Sequence, residues 1–134
     1  MTGMKTVQPE GWPRPSGYSN GAIAHGRVLA VAGQIGWNER GAFSSDDLAE
    51  QAAQALRNVL AVVRAAGGSP ADVIRLTWYV TDKNEYRAAA AQLGRVYREL
   101  FGEHYPAMTL VQVAALLEDR AKVEIEATAI LPSI

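Results

Sequence analysis

Apolar residues in this chain recur with two different spacings, and the spacings alternate along it. Leu48, Ala52, Ala55, Leu56, Val59, Val62, Val63 and Ala66 return every three or four residues, as do Tyr86, Ala89, Ala90, Leu93, Val96, Tyr97, Leu100 and Phe101. Each set draws one stripe along an α-helix of about 3.6 residues per turn. Elsewhere the period drops to two. Ile74, Leu76, Trp78 and Val80 alternate with Arg75, Thr77 and Tyr79, and Val123, Ile125, Ala127 and Ala129 alternate with Glu124, Glu126, Thr128 and Ile130. That is the signature of strands with one buried face. Further strands are predicted over 22–24 and 28–32, joined as a β-hairpin across His25-Gly26-Arg27, and over 109–115. The order ββ, helix, β, helix, ββ gives an α+β fold, a mixed β-sheet with two helices packed on one face.

Local signals set the ends of these elements. Ser44-Ser45-Asp46-Asp47 has the spacing of a capping-box variant before the first helix, and Gly67-Gly68 closes it. Residues 69–72 form a single helical turn, Asp82-Lys83-Asn84-Glu85 opens the second helix, and Gly102 stops it. Residues 1–17 hold Pro9, Pro13 and Pro15, each of which removes a donor and restricts its predecessor, so an extended arm is expected there. Gly33, Gly36 and Gly41 punctuate a loop carrying Gln34, Trp37 and Asn38, the kind of strand-end loop where ligand contacts gather.

The 134 residues suit a single domain, 1–134. Its mass of 14.4 kDa corresponds to a folded surface of roughly 6,800 Å². With no Cys, disulfides and thiolate metal sites are excluded. The net charge of -1 and pI near 6.1 are far from the basic balance of nucleic-acid-binding domains, so nucleic acid is not an expected partner. No apolar run approaches the roughly 18 residues of a membrane span, and residues 1–8 lack the apolar core of a signal peptide. A soluble, cytoplasmic protein with no membrane contact is expected.

Two helices on one face leave the other bare. Val111 and Val113 point opposite to Leu110 and Ala114, so the 109–115 strand is apolar on both sides. Wetting such side chains forgoes about 1.5–3 kcal/mol each, which predicts a homo-oligomer packed sheet against sheet. The alternative is that the arm, near 9–17, folds across that face.

Familiar catalytic motifs are missing. His25 and His104 fall in unrelated turns without ligand-spaced carboxylates, and Ser19 and Ser69 have no evident His and acid partners, so neither a metal site nor a hydrolytic triad is expected. There is no phosphate-binding loop or dinucleotide fingerprint, and no cofactor is expected. Glu124 and Glu126 remain, two carboxylates on one face of an otherwise core-like strand. An acid among apolar neighbours suits general-base work, although a solvated or ion-paired face would carry the same pattern.

Five segments in order then resemble one family. These are Gly17-Tyr18-Ser19, Val31-Ala32-Gly33-Gln34-Ile35, the helix from Gln51 to Asn58, Tyr105-Pro106-Ala107 and Val123-Glu124-Ile125-Glu126-Ala127. Together they resemble the Rid (YjgF) family and span nearly the whole chain. The resemblance implies a chorismate-mutase-like fold, a homotrimer and a small-molecule pocket between subunits. It also implies hydrolysis of enamine or imine acids to keto acids and ammonia. By motif, Glu124 corresponds to the residue that positions or activates water, Tyr18 to the substrate-contacting Tyr, and Gly33 and Gln34 to the backbone element of the site.

One position departs from the pattern. The family's deaminases hold the substrate carboxylate with an Arg directly after Pro-Ala, and here that residue is Met108; an Asn of the second helix is likewise replaced, by Ala90. A guanidinium offers two charge-assisted hydrogen bonds, a thioether none. At about 1.5–3 kcal/mol each, their loss implies roughly 10²–10⁴-fold poorer use of simple 2-imino acids. The expected substrate is another unsaturated amine or imine, such as a larger aminated dienoic acid, with Met108 and Trp37 widening the site. Arg14, Arg27 and Arg75 are candidates to meet its carboxylate from another direction. The rival expectation is a non-catalytic trimer that binds a metabolite in the same cleft. The endoribonuclease role attached to the family name fits poorly, for want of basic excess and of a His pair.

Overall fold

The structure, a computed structural model, describes residues 3–134. Met1 and Thr2 of the expected arm lie outside the described residues. Among the described residues the strands and α-helices run in order β1 (Lys5–Val7), β2 (Gly21–Ile23), β3 (Arg27–Ile35), α1 (Leu48–Ala65), β4 (Val73–Val80), α2 (Lys83–Ala88), α3 (Ala90–Phe101), β5 (Ala107–Gln112) and β6 (Val123–Leu131), with the single helical turn expected near 69–72 present at Pro70–Asp72. The main sheet has the order β3-β6-β4-β5, with β4 and β5 parallel and the other neighbours antiparallel. Helices cover one face of it, the α+β architecture expected. Among the described residues no helix is long and apolar enough to cross a membrane.

Alternation on β6 sorts the two faces. Val123, Ile125, Ala127, Ala129 and Leu131 are buried. They meet Leu56, Val59, Leu60 and Val63 of α1, with Leu76, Trp78 and Val80 of β4 in the same core. Helix α1 is capped by Asp47, whose carboxylate accepts from the Glu50 N–H. The Ser-led capping box is thereby corrected: Ser45 instead accepts from the Asp47 N–H. At the other end Gly67 takes φ +89°, a left-handed conformation that side-chain-bearing residues adopt at a cost.

The Gln51…Asn58 spacing of α1 has a structural meaning. Gln51, 1% exposed, donates to the carbonyls of Ser45 and Arg120 and accepts from the Lys122 N–H, tying two loops to the helix. Two turns on, Asn58 donates to the carbonyls of Ile35 and Trp37, fixing the chain as it leaves β3.

Two further expectations are corrected. The hairpin across 25–27 does not form: β2 pairs with β1, inside the arm, and β3 pairs with β6 from Arg27–Leu131 to Ile35–Glu124. Period-two patterning reports that a segment is extended but not its partner, and the nine residues of β3 gain far more ladder from β6 than from three-residue β2. The arm is therefore partly a strand. The second helical stripe is split at Ala89 (φ -94°, ψ 6°) into α2 and α3. On one side of this turn Tyr86 packs edge-on to Trp78, and on the other Leu93 and Phe101 enter the core.

The opposite face of the sheet is bare, as expected. Val28 of β3 is 71% exposed and Val111 of β5 41% exposed, and the rows between them carry Ile130, Thr128, Glu126, Glu124, Arg75, Thr77 and Tyr79. Val28, Val111, Glu126 and Arg75 stay exposed there and the others half-buried, while the segment at Ser19, just after the arm, runs along the β5 edge, bridged to Ala107. Strand β5 ends at Gln112, so Val113 and Ala114 lie beyond it. Accessible surface is 7979 Å², well above the roughly 6,800 Å² of a compact monomer of this mass.

Candidate functional site

Two groups of chemically capable side chains form, one on each face of the sheet. The first gathers around Met108. Pairing of Met108 with Leu76 places it in the row of Ala127, on the helix-covered face. The segment just after the arm is tied to the start of β5 by the Ser19 N–H, which donates to the Pro106 carbonyl, and by the Ser19 hydroxyl, which donates to that of Tyr105. These bonds carry Tyr18 to Met108. A pocket of about 340 Å³ results, lined by Tyr18 and Met108 together with Trp78, Tyr86, Ala90, Gly94, Arg98 and Tyr105. Tyr97 also lines it; its ring stacks 4.6 Å from that of Phe101 and its hydroxyl donates to the His104 carbonyl. Burial pushes the phenols of Tyr97 and Tyr86 above their ordinary range.

The second group surrounds Glu124. Strand β3 carries a bulge between Val31 and Gln34, where its register on β6 shifts. Gly33 lies in that bulge directly against Glu124, and a Cβ there would collide with the Glu124 carboxylate. Next along β6, Glu126 is engaged: the Tyr79 hydroxyl donates to it at 2.7 Å. That hydrogen bond leads the causes holding the Tyr79 phenol above its ordinary range, with desolvation and the charges of Glu126 and Glu124 behind it. Glu124 makes no such hydrogen bond among the described residues, so both of its oxygens are open to accept from a water.

Met108 and Glu124 thus occupy opposite faces of one sheet. Gln34 beside the bulge turns its amide to the Ala32 carbonyl. Trp37 packs against Phe43 with ring centroids 6.1 Å apart and does not line the Met108 pocket. Nor do the three arginines considered from sequence. Arg14 lines a neighbouring cleft of about 720 Å³ with Trp12 and Asn20, Arg27 donates to the Pro132 carbonyl, and Arg75 lies on the bare face in register with Ala107. The arginine that does line the pocket is Arg98, which the sequence reading passed over. Its signal was the run Ala90, Gly94, Arg98, four apart and hence in line along one face of α3.

The histidines are dispersed. His25 is exposed in the β2–β3 turn, and His104 Nε2 lies 2.7 Å from the Val73 carbonyl oxygen.

Residues 13–131 match the family model described as Endoribonuclease L-PSP. RutC family protein PH0854 of Pyrococcus horikoshii is 40% identical over 126 residues, covering 93% of this chain and 96% of that protein. The 2-iminobutanoate/2-iminopropanoate deaminase of Escherichia coli is 36% identical over 129 residues, 94% and 97% of the two chains. Among solved structures, a protein of unknown function of the conserved Rid family, YyfB of Yersinia pestis, superposes with a TM-score of 0.84 at 36% identity, covering 96% of this chain and 99% of that one. A sheet of this order, helices on one face and likeness along nearly the whole chain together make it a member of the Rid/YjgF family.

Proposed function

We propose that the chain is a deaminase of the Rid type, hydrolysing an enamine or imine metabolite in a cleft between the protomers of a homotrimer. One observation carries the reading: Tyr18 and Met108 share a pocket on one face of the sheet, while Glu124 and Gly33 share the other. A substrate touching both groups needs Glu124 from a second copy. The bare face, with Val28 and Val111 exposed, supplies a reason for that copy to bind. Contact of one patch with a different patch on the next subunit is the heterologous kind that closes into a ring.

In such a cleft the partner's Glu124 would hold a water beside the C=N carbon. Water oxygen bonds to that carbon, the C=N electron pair moves to nitrogen, and the carboxylate takes the proton water sheds. Glu124 returns that proton to nitrogen to give the neutral carbinolamine, then takes the hydroxyl proton and passes it to the same nitrogen, so that the C–N bond breaks, ammonia departs and the carbonyl forms. Tyr18 and the Gly33 bulge orient the substrate. Substrates other than the simple 2-imino acids are favoured, because Met108 offers their carboxylate no charge.

The same replacement favours one second reading, a trimer that binds a metabolite without turning it over. The ribonuclease activity in the family description is not proposed, given a net charge of -1 and histidines that sit apart.

The test follows keto-acid release from freshly generated 2-iminobutyrate and 2-aminoacrylate. Wild type should be slow, Met108→Arg about 10²-fold or more faster, and Glu124→Ala inactive in either background. Wild-type turnover equal to that of an Arg-bearing relative removes the role given to Met108. Unchanged turnover in Glu124→Ala removes the mechanism.

A further inference from the structure

The Met108 pocket contains one formal charge, and it is on a helix rather than on the strand. We propose that Arg98 of α3, with the indole N–H of Trp78 as a second donor, binds the carboxylate of a planar unsaturated or aromatic ligand in this pocket.

Three observations converge on this. Long side chains on a helix lean toward its N-terminus. Arg98 does so: a Cβ added at Gly94, one turn back, would lie 3.3 Å from Arg98 Nη1. Its guanidinium therefore lies over bare backbone on the pocket wall, and any side chain at Gly94 would crowd it. Among the described residues this guanidinium makes no ion pair or hydrogen bond; the ion pairs present are Arg120–Asp46 and Lys122–Glu85. Trp78, 4% exposed, lines the same pocket, and its Nε1 is buried with no hydrogen-bond partner. Buried donors are almost always satisfied in folded proteins, and this unpartnered one belongs to a side chain that lines the cavity.

Among the described residues no acid lines the pocket, and Tyr86, Tyr97 and Tyr105 provide flat walls. A free guanidinium, an unpaired indole N–H and aromatic sides together suit a planar body ending in a carboxylate. The cation that Met108 lacks would thus reach the ligand from the helix wall, turning it relative to one held from the strand. To call that ligand a substrate rests on the deaminase reading above; the anion site does not.

Calorimetric titration of the full chain with trans-cinnamate and its neutral isostere trans-cinnamamide tests the proposal. Wild type should prefer the acid by about 10-fold or more, the worth of one charged hydrogen bond. Arg98→Gln, a change on an exposed side chain, should abolish that preference, and Arg98→Lys should restore part of it. Trp78→Phe should weaken the acid more than the amide. Equal affinity of wild type for both, no binding of cinnamate, or an undiminished preference in Arg98→Gln overturns the site. Keto-acid release is scored separately. An Arg98-dependent preference without turnover of any imine sinks the deaminase reading and leaves the site. Imine turnover indifferent to Arg98→Gln does the reverse.

Discussion

The side chain of Glu124 rests on the bare α-carbon of Gly33, across the ladder from β6 to the bulge in β3. Only a residue without a Cβ leaves the carboxylate where it is. Gly33 is therefore a positioning residue for Glu124 as much as a piece of backbone.

Gly33→Ala should displace the Glu124 carboxylate without unfolding the sheet, because the colliding atoms belong to the end of a side chain that can swing outward. A shift near 1 Å at a catalytic group costs about 10²-fold in rate. Turnover should fall by that order while the circular dichroism spectrum is unchanged. Activity within a few-fold of wild type would show that Glu124 works from elsewhere.

The bare face makes a second prediction. Val28 is exposed in register with Ile130 on the face opposite the helices, so Val28→Asp disturbs no intrachain packing. In a trimer it would bury three charges, each of which costs several kcal/mol unless paired. Sedimentation should return a folded species of protomer mass in place of the proposed trimer, and turnover should vanish with the proposed inter-subunit cleft. A wild type that sediments at 14.4 kDa would remove the inter-subunit site.

These relationships were unevenly legible in the sequence. Glu124, Gly33, Tyr18 and Met108 could be named because short motifs carry them, and β6 because it alternates cleanly. That Met108 and Glu124 face opposite ways follows from register, since Met108 pairs with Leu76 and Glu124 with Tyr79. No single segment contains that information. The partner of β2 was missed for the same reason, and the break at Ala89 because Ala88-Ala89-Ala90-Ala91 is as good a helix as any by propensity. Arg98 was passed over because a lone arginine on an amphipathic helix usually lies on its solvated face. Its pocket needs Trp78 and Met108, which arrive from other elements.

Asn58 carries the third prediction. Its amide serves the carbonyls of both Ile35 and Trp37, so Asn58→Ala strands two part-buried acceptors at the end of β3. A cost of about 1–3 kcal/mol is expected, read as a lower urea midpoint with unchanged slope. Asn58→Asp should cost at least as much, because a carboxylate cannot donate to either carbonyl. Destabilisation below about 0.5 kcal/mol, within the range of an ordinary surface change, would mean that water replaces the amide freely.

Alkali should unfold the protein, led by Tyr97. Burial raises the Tyr97 phenol above its ordinary value, with the charge of Tyr105 adding to it. Burial also raises Tyr86, and the hydrogen bond to Glu126 leads the rise at Tyr79. A phenol whose pKa is raised on folding binds its proton more tightly in the native state. Between the unfolded value, about 10, and the higher folded one, the unfolded chain holds fewer protons and stability falls as pH rises. Below about pH 9 these groups should contribute no slope, both states being protonated. Urea titrations at stepped pH above that point should show declining stability, and Tyr97→Phe, less stable at neutrality for want of the hydroxyl bonded to the His104 carbonyl, should decline less steeply. A slope identical in wild type and Tyr97→Phe would place that phenol in water rather than in the core.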